Sequence, residues 1–163
     1  MAGKLLALGE ALSNGYQTIT VNNIPQNYSH LEVVVIGNHT AGSTATGTPI
    51  MYFNNNTSNT YLSQYIVSTS TNVGNFISNS LSSSMYLGFS GGVGTTTRVW
   101  IPNYTSSKNK EIICSGGAIT SNSWAYAGFL AGGNWRNTAA ITRIDVAMDV
   151  YATIGRVYVF GWK

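Results

Sequence analysis

The residues Arg143-Ile144-Asp145-Val146-Ala147-Met148-Asp149-Val150 alternate between two kinds of side chain. Four apolar residues at even positions are separated by charged residues at three of the odd positions. Because successive side chains of a strand point to opposite faces, this spacing puts all four apolar residues on one face. The stretch therefore predicts a half-buried β-strand within Ala140–Tyr151.

The same period of two recurs along the chain from Tyr16 onward. In Gln17-Thr-Ile-Thr-Val21, Ile19 and Val21 share one face. The nearly continuous apolar run Leu31–Ile36 predicts a strand that is buried on both faces. Further strands are predicted at Ile50–Phe53, Tyr61–Val67, Ser84–Phe89, Thr97–Ile101, Glu111–Ser115, Trp124–Leu130 and Arg156–Trp162.

Turn-forming residues separate these runs, and no helical pattern alternates with them. The predicted turns and loops are Ser13-Asn14-Gly15, Gly42–Pro49, Asn54–Asn59, Ser68–Ser84, Gly91-Gly92, Pro102–Lys108, Gly116-Gly117 and Gly132–Asn137. Many short strands joined by turns are typical of sandwiches and jelly rolls. The sequence thus predicts an all-β fold, an antiparallel, jelly-roll-like β-sandwich formed by residues 16–163 as a single domain.

Residues 1–15 differ from the rest and are predicted to form a short N-terminal arm. Leu5, Leu8 and Leu12 have helical spacing, but Gly9 disfavours a helix and the segment is short. Glu10 interrupts the apolar run too early for a secretion signal. The longest apolar runs also fall far short of the roughly 18 residues of a membrane span.

The composition indicates how the surface is hydrated. Only 8% of the 163 residues are charged, whereas Ser, Thr and Asn supply about a third. Such a surface suits a loop-rich β-protein that exists mainly in an assembly. The eight cations are scattered, and the closest pair, Lys108 and Lys110, is no phosphate-binding patch, so nucleic acid is not an expected partner.

Few residues could support catalysis. Asp145 and Asp149 share a strand face about 13 Å apart, too far for a glycosidase pair. The two histidines, His30 and His39, are expected at the surface, and the lone Cys114 in the core. We therefore predict a non-enzyme with no catalytic residues, cofactor or metal; a hydrolase would need facing carboxylates, such as Glu32 with Asp145.

The aromatic residues admit two interpretations. Trp100, Trp124, Trp135 and Trp162 lie in or beside predicted strands, which favours burial or a subunit interface. Exposed tryptophans in a shallow groove would instead indicate carbohydrate binding. The terminal strand Arg156–Trp162 is apolar on both faces, which is typical of a strand covered by a neighbouring subunit.

Four segments, taken in order, resemble virion proteins of tailed bacteriophages. They are Ile19–Val35 with its Ile-Pro turn, Ile101–Lys110, Trp135–Ile144 with the stretch Trp-Arg-Asn-Thr-Ala-Ala-Ile, and Arg156–Lys163. The leucine-bearing residues 1–12 and the ending Gly161-Trp162-Lys163 depart from that pattern.

The resemblance implies a structural protein of the virion surface, assembled in the host cytoplasm. It would be a capsid decoration (cement) or head-fibre subunit, a homo-oligomer with trimeric symmetry expected, whose partners include the major capsid protein. The alternative is a carbohydrate-binding, receptor-binding module of a tail fibre that contacts host glycans. The expected particle anchor is Lys4, Leu5, Leu6, Leu8 and Leu12; the candidate subunit interface is Trp135, Arg136, Tyr158, Phe160 and Trp162.

Overall fold

The structure, a computed structural model, is all-β in the part it describes. It describes residues 3–12, 17–39, 49–69, 73–77, 81–87, 94–119, 127–148 and 152–163. The strands in these ranges are β1 (Lys4–Leu12), β2 (Gln17–Val21), β3 (His30–His39), β4 (Ile50–Phe53), β5 (Tyr61–Thr69), β6 (Val73–Ile77), β7 (Met85–Tyr86), β8 (Gly94–Pro102), β9 (Lys110–Ile119), β10 (Ala127–Trp135), β11 (Ile144–Met148) and β12 (Ala152–Trp162). None of the described residues forms a helix long and apolar enough to span a membrane.

The strands form two antiparallel sheets that pack as a sandwich. The large sheet has eight strands in the order β1-β12-β3-β8-β9-β10-β5-β6, and the small sheet has four in the order β2-β11-β4-β7. The predicted all-β sandwich is therefore confirmed.

The strand order is that of a jelly roll with an extended sheet. Strands from the start of the chain pair with strands from its end: β1 with β12, β2 with β11, and β4 with β11. The other neighbour of β4 is β7. This arrangement gives two four-stranded layers, β1-β12-β3-β8 and β2-β11-β4-β7, as in an eight-stranded jelly roll. The remaining strands β9, β10, β5 and β6 continue the first layer beyond β8, and we call them the sheet extension.

The core lies between the sheets and is made by one face of every long strand. In β8 the inward residues Val99 and Ile101 are fully buried, whereas the intervening Trp100 is half-buried. At the extension, Trp135 and Tyr61 stack with ring centroids 6.3 Å apart, and Phe53 of the small sheet packs against both rings. The extension therefore shares the core of the jelly roll.

Two predicted turns are strands in the structure. Gly116 and Gly117 lie within β9, and the Gly132–Asn137 segment continues β10 as far as Trp135. Gly116 faces the core, where a Cβ atom would come within 2.6 Å of the Phe129 ring. This glycine therefore permits close packing rather than a turn, and β6 similarly occupies part of the predicted 68–84 loop.

The predicted N-terminal arm is an edge strand over Lys4–Leu12. This segment pairs along its length with β12, with an irregularity between Leu5 and Ala7. Leu6 and Ala7 pack against the core, and Gly3 lies directly against the indole of Trp162. The separation of an arm from a domain beginning at residue 16 was thus wrong for these residues, because a β-ladder holds them to the sheet.

Candidate functional site

The most distinctive surface is the outer face of the large sheet, which is turned away from the core. Cross-strand partners share a face, so the register places one apolar residue after another across seven neighbouring strands. The residues of this outer apolar face are Leu5, Tyr158, Phe160, Val34, Ile36, Trp100, Ile113, Leu130 and Ile66. A solvated antiparallel sheet normally carries mainly polar residues there, whereas this face combines the listed apolar residues with Glu32, Arg98, Glu111 and Arg156, so part of it has the composition of a covered surface.

Three aliphatic side chains on the sheet extension form its most exposed part. Ile113, Leu130 and Ile66 are 53%, 56% and 50% exposed, and we call them the aliphatic patch. Leu130 is directly opposite Ile66, and Ile113 is opposite Gly132, two residues along β10 from Leu130. A Cβ atom at Gly132 would have nothing within 4 Å, so there is open space above the backbone beside the patch.

The other half of the outer face carries an ionic group among aromatic rings. Glu32 forms an ion pair with Arg98 through its Oε1 atom, and Trp162 Nε1 donates a hydrogen bond of 3.0 Å to its Oε2 atom. The Glu32 side chain is only 9% exposed, whereas that of Arg98 is 61% exposed. Both carboxylate oxygens are thus engaged, and the exposed charge of the pair is the guanidinium.

Aromatic rings surround this pair. Trp100 is opposite Glu32 in the ladder, and its ring centroid lies 5.8 Å from that of Trp162 and 5.3 Å from that of His30. His30 Nδ1 is buried without a hydrogen-bond partner in the structure. We call His30, Glu32, Arg98, Trp100 and Trp162 the Glu32 cluster.

The candidate interface residues lie in two different places. Tyr158, Phe160 and Trp162 are half-buried on the outer face of the large sheet, as expected of a strand that is apolar on both sides. Trp135 is fully buried between the sheets, so its assignment to a subunit interface was wrong: Phe53 and Tyr61 already enclose it. Arg136 is exposed just beyond the end of β10.

The predicted anchoring residues are spread over β1. Lys4 is exposed, Leu5 is 49% exposed on the outer apolar face opposite Phe160, and Leu6 packs against the core. Leu8 and Leu12 lie in the same strand, but their side chains are outside the described part of the structure. Only Leu5 among the described leucines of this set is turned to solvent.

Sequence reasoning missed the aliphatic patch, although a signal for it exists. Each patch residue adjoins an inward apolar neighbour: Ile112 before Ile113, Phe129 before Leu130 and Val67 after Ile66. Two consecutive apolar residues in a strand point to opposite faces, so one of them must lie outside the core.

Glu32 and Asp145, the pair of carboxylates considered for a hydrolase, do not converge. Glu32 is on the outer face of the large sheet, and Asp145 is in the small sheet. Asp145 is fully buried, where it accepts hydrogen bonds from Thr20 Oγ1 at 2.7 Å and from Arg143 Nε and Nη2 at 2.7–2.9 Å. It is therefore a structural link between β2 and β11; Asp149 lies outside the described residues.

Other titratable groups lie inside the sandwich. Burial raises the pKa of the Cys114 thiol to about 12, and burial also raises that of Tyr61 to about 12. Burial lowers the pKa of Lys110, whose Nζ donates to the carbonyl oxygens of Lys108 at 2.6 Å and Asn137 at 3.4 Å. All three groups are enclosed by the core, and the Cys114 thiol in particular stays protonated at neutral pH.

The stretch Trp135-Arg-Asn-Thr-Ala-Ala-Ile141 has a structural location. It leads into a loop that forms hydrogen bonds with three other loops at one end of the sandwich. Ile141 N donates to Tyr104 O, Gln26 Nε2 donates to Ile141 O, and Asn54 Nδ2 donates to Ala140 O.

Comparison with known proteins adds no relative: no protein-family model matches the chain, and no curated protein matches it.

Proposed function

We propose that this chain is a non-enzymatic structural subunit of a tailed-phage virion, a capsid decoration (cement) or head-fibre protein that assembles with copies of itself. The observation that supports an assembly role most directly is the aliphatic patch. Three neighbouring aliphatic side chains, each at least half exposed, lie on the sheet extension, on the same face as the apolar and aromatic residues of the neighbouring strands. Contiguous apolar surfaces of this kind mark interaction sites in soluble proteins.

The virion assignment has separate support. The four segments named above resemble phage virion proteins, and the jelly roll is a fold that viral capsid proteins use. Lectins use it too, and a fold by itself does not define a function. The segment resemblance therefore favours the virion, and the apolar face supplies the surface for assembly.

The test is whether the protein occurs on particles. Phage particles produced from the genome that encodes this chain should contain it after density-gradient purification, as measured by peptide mass spectrometry and by antibody labelling in electron microscopy. We expect stoichiometric amounts on the particle surface. Particles that lack the protein, while it accumulates free in the host lysate, would contradict the proposal.

A carbohydrate-binding role is the second candidate, supported by the Glu32 cluster. Trp100 and Trp162 are half-buried rather than enclosed, and the exposed Arg98 guanidinium adjoins them. Aromatic faces beside hydrogen-bonding groups are suited to sugar rings. The test is a glycan array with the native protein and with Trp100→Ala, in which lost binding supports the role; Trp162 is less suitable because its indole also holds Glu32.

A further inference from the structure

The aliphatic patch is bordered by charges of opposite sign. Glu111 is exposed two residues before Ile113 on β9, so both side chains lie on the outer face. Two residues after Ile113 is Ser115, whose cross-strand partner is Arg98, 61% exposed. The patch therefore has a negative border at one end of β9 and a positive border towards the other.

This polarity determines which partner fits. We propose that the aliphatic patch binds the same patch of a second copy of this chain, face to face, about a two-fold axis that runs across the strands between the level of Ile113 and that of Leu130. The proposal rests on the assembly role proposed above and names its partner. A two-fold contact is isologous, so a surface that binds itself must be self-complementary in shape and charge.

The charges that border the patch are self-complementary about this axis. A two-fold axis across the strands reverses the strand direction of one copy relative to the other. The Glu111 end of one β9 then lies over the Arg98 side of the second copy, and the same pairing occurs twice. Arg98 pairs with Glu32 within the chain through its Nε atom, and its side chain remains 61% exposed and accessible to a second copy.

The shape of the patch is also self-complementary. The patch centre carries no charge, because the residues beside it on the outer face are Gln64, Ser115, Gly128 and Gly132. Like charges therefore do not oppose each other at the axis. Gly128 and Gly132 leave open space on the outer face, into which the aliphatic side chains of a second copy can pack.

Sedimentation velocity of the full chain over a concentration series tests the proposal. We expect a reversible monomer–dimer equilibrium, and Leu130→Lys should weaken dimerisation at least tenfold because it places two ammonium groups in an apolar contact. Thr18→Lys is the matched control: it adds the same charge to an exposed strand residue of the small sheet and should leave the dimer unchanged. Melting temperatures of both variants should remain close to that of the native protein, because both side chains are exposed.

Two further variants test the symmetry. Glu111→Lys should weaken the dimer several-fold at low salt and less at high salt, since its effect is electrostatic. Ile113→Cys should give a disulfide-linked dimer under mild oxidation, because the axis passes near this residue, whereas Thr18→Cys should not.

The alternative occupants give different outcomes. A trimer that Leu130→Lys does not dissociate, or a protein that stays monomeric at millimolar concentration, would overturn the two-fold contact. The same holds if Leu130→Lys stops particle binding without changing the oligomeric state, because the capsid then covers the patch. In each case the presence of the protein on particles is measured separately, so the virion proposal can survive the loss of this one.

Discussion

Gly116 illustrates how a single residue determines packing at the junction between β9 and β10. Its missing side chain lets the Phe129 ring lie over the backbone of β9, and the carbonyl of Thr96 is equally close. Gly128 and Gly132, on the opposite face, have open space where a Cβ would be. The glycines of this sheet thus perform two different tasks, close packing inside and a low surface outside.

The first prediction compares these glycines. Gly116→Ala should destabilise the fold by roughly 1–3 kcal/mol, because the new methyl group overlaps a ring and a backbone oxygen that cannot both move. Gly128→Ala, in contrast, should be neutral or slightly stabilising, since it restricts the unfolded chain and meets nothing in the folded one. Urea denaturation of both variants measures the difference; equal destabilisation would show that Gly116 is not held against Phe129.

The second prediction concerns alkaline pH. Burial raises the pKa of the Cys114 thiol from 9.0 to about 12, so between these values the unfolded chain loses a proton that the folded chain keeps. Stability therefore falls as pH rises through this range, by up to about 1.4 kcal/mol per pH unit for each such group. Tyr61, raised from 10.0 to about 12, adds a second decline that begins one unit higher.

The variant Cys114→Ala separates these two contributions. It removes the thiol, so the decline in unfolding free energy should be absent near pH 9.5 and should begin only where tyrosine titrates. Urea denaturation at intervals from pH 8 to pH 11 measures both slopes. A native and a variant protein with the same pH dependence would show that Cys114 is accessible to water.

At the scale of elements, strand composition predicted the inner face well and the outer face poorly. Alternation located β2, β4 and β11, and a nearly continuous apolar run located β3, because each of these strands carries apolar residues for one core. The course of β9 and β10 through paired glycines was not predictable, since glycine favours turns unless a neighbouring ring requires the space. The aliphatic patch depends on which strands lie side by side, and that register is set by tertiary pairing.

The edge strand β1 gives the prediction at this scale. Removal of residues 1–12 should destabilise the domain by about 2 kcal/mol or more, because β12 loses its ladder partner and the core loses Leu6 and Ala7. The single change Leu5→Ser should leave stability within about 0.5 kcal/mol, since Leu5 is 49% exposed.

These two changes distinguish anchoring from folding. If β1 anchors the protein to the particle, Leu5→Ser should reduce particle binding at an unchanged melting temperature. Thr18→Ser is a comparable exposed control on the small sheet. A truncated protein that melts like the native one would show that β1 contributes little to the stability of the sheet. The prediction of an N-terminal arm separate from the domain would then be correct.

At the scale of the whole molecule, the two sheets are joined at one end by loops that hydrogen-bond to each other. Asn54 is central to this network: its Oδ1 accepts from Thr142 N at 2.9 Å and from Arg143 N at 3.0 Å. Its Nδ2 donates to Ala140 O at 2.8 Å. The loop that contains the Trp135–Ile141 stretch is therefore tied to the loop that follows β4, and this stretch stabilises the fold rather than forming the exposed face.

Asn54 also has a left-handed backbone, with φ of 53°, and so does its neighbour Asn55, with φ of 56°. Asn54→Ala should cost roughly 3 kcal/mol, because it loses the side-chain hydrogen bonds and because alanine tolerates a left-handed backbone less well than asparagine. Asn54→Gly should recover about 1 kcal/mol of this, since glycine accepts positive φ without strain. Asn55→Ala, on an exposed side chain, reports the backbone cost alone and should lower the melting temperature least of the two alanine variants. Equal losses for Asn54→Ala and Asn55→Ala in thermal denaturation would mean that the loop network adds nothing to the joining of the sheets.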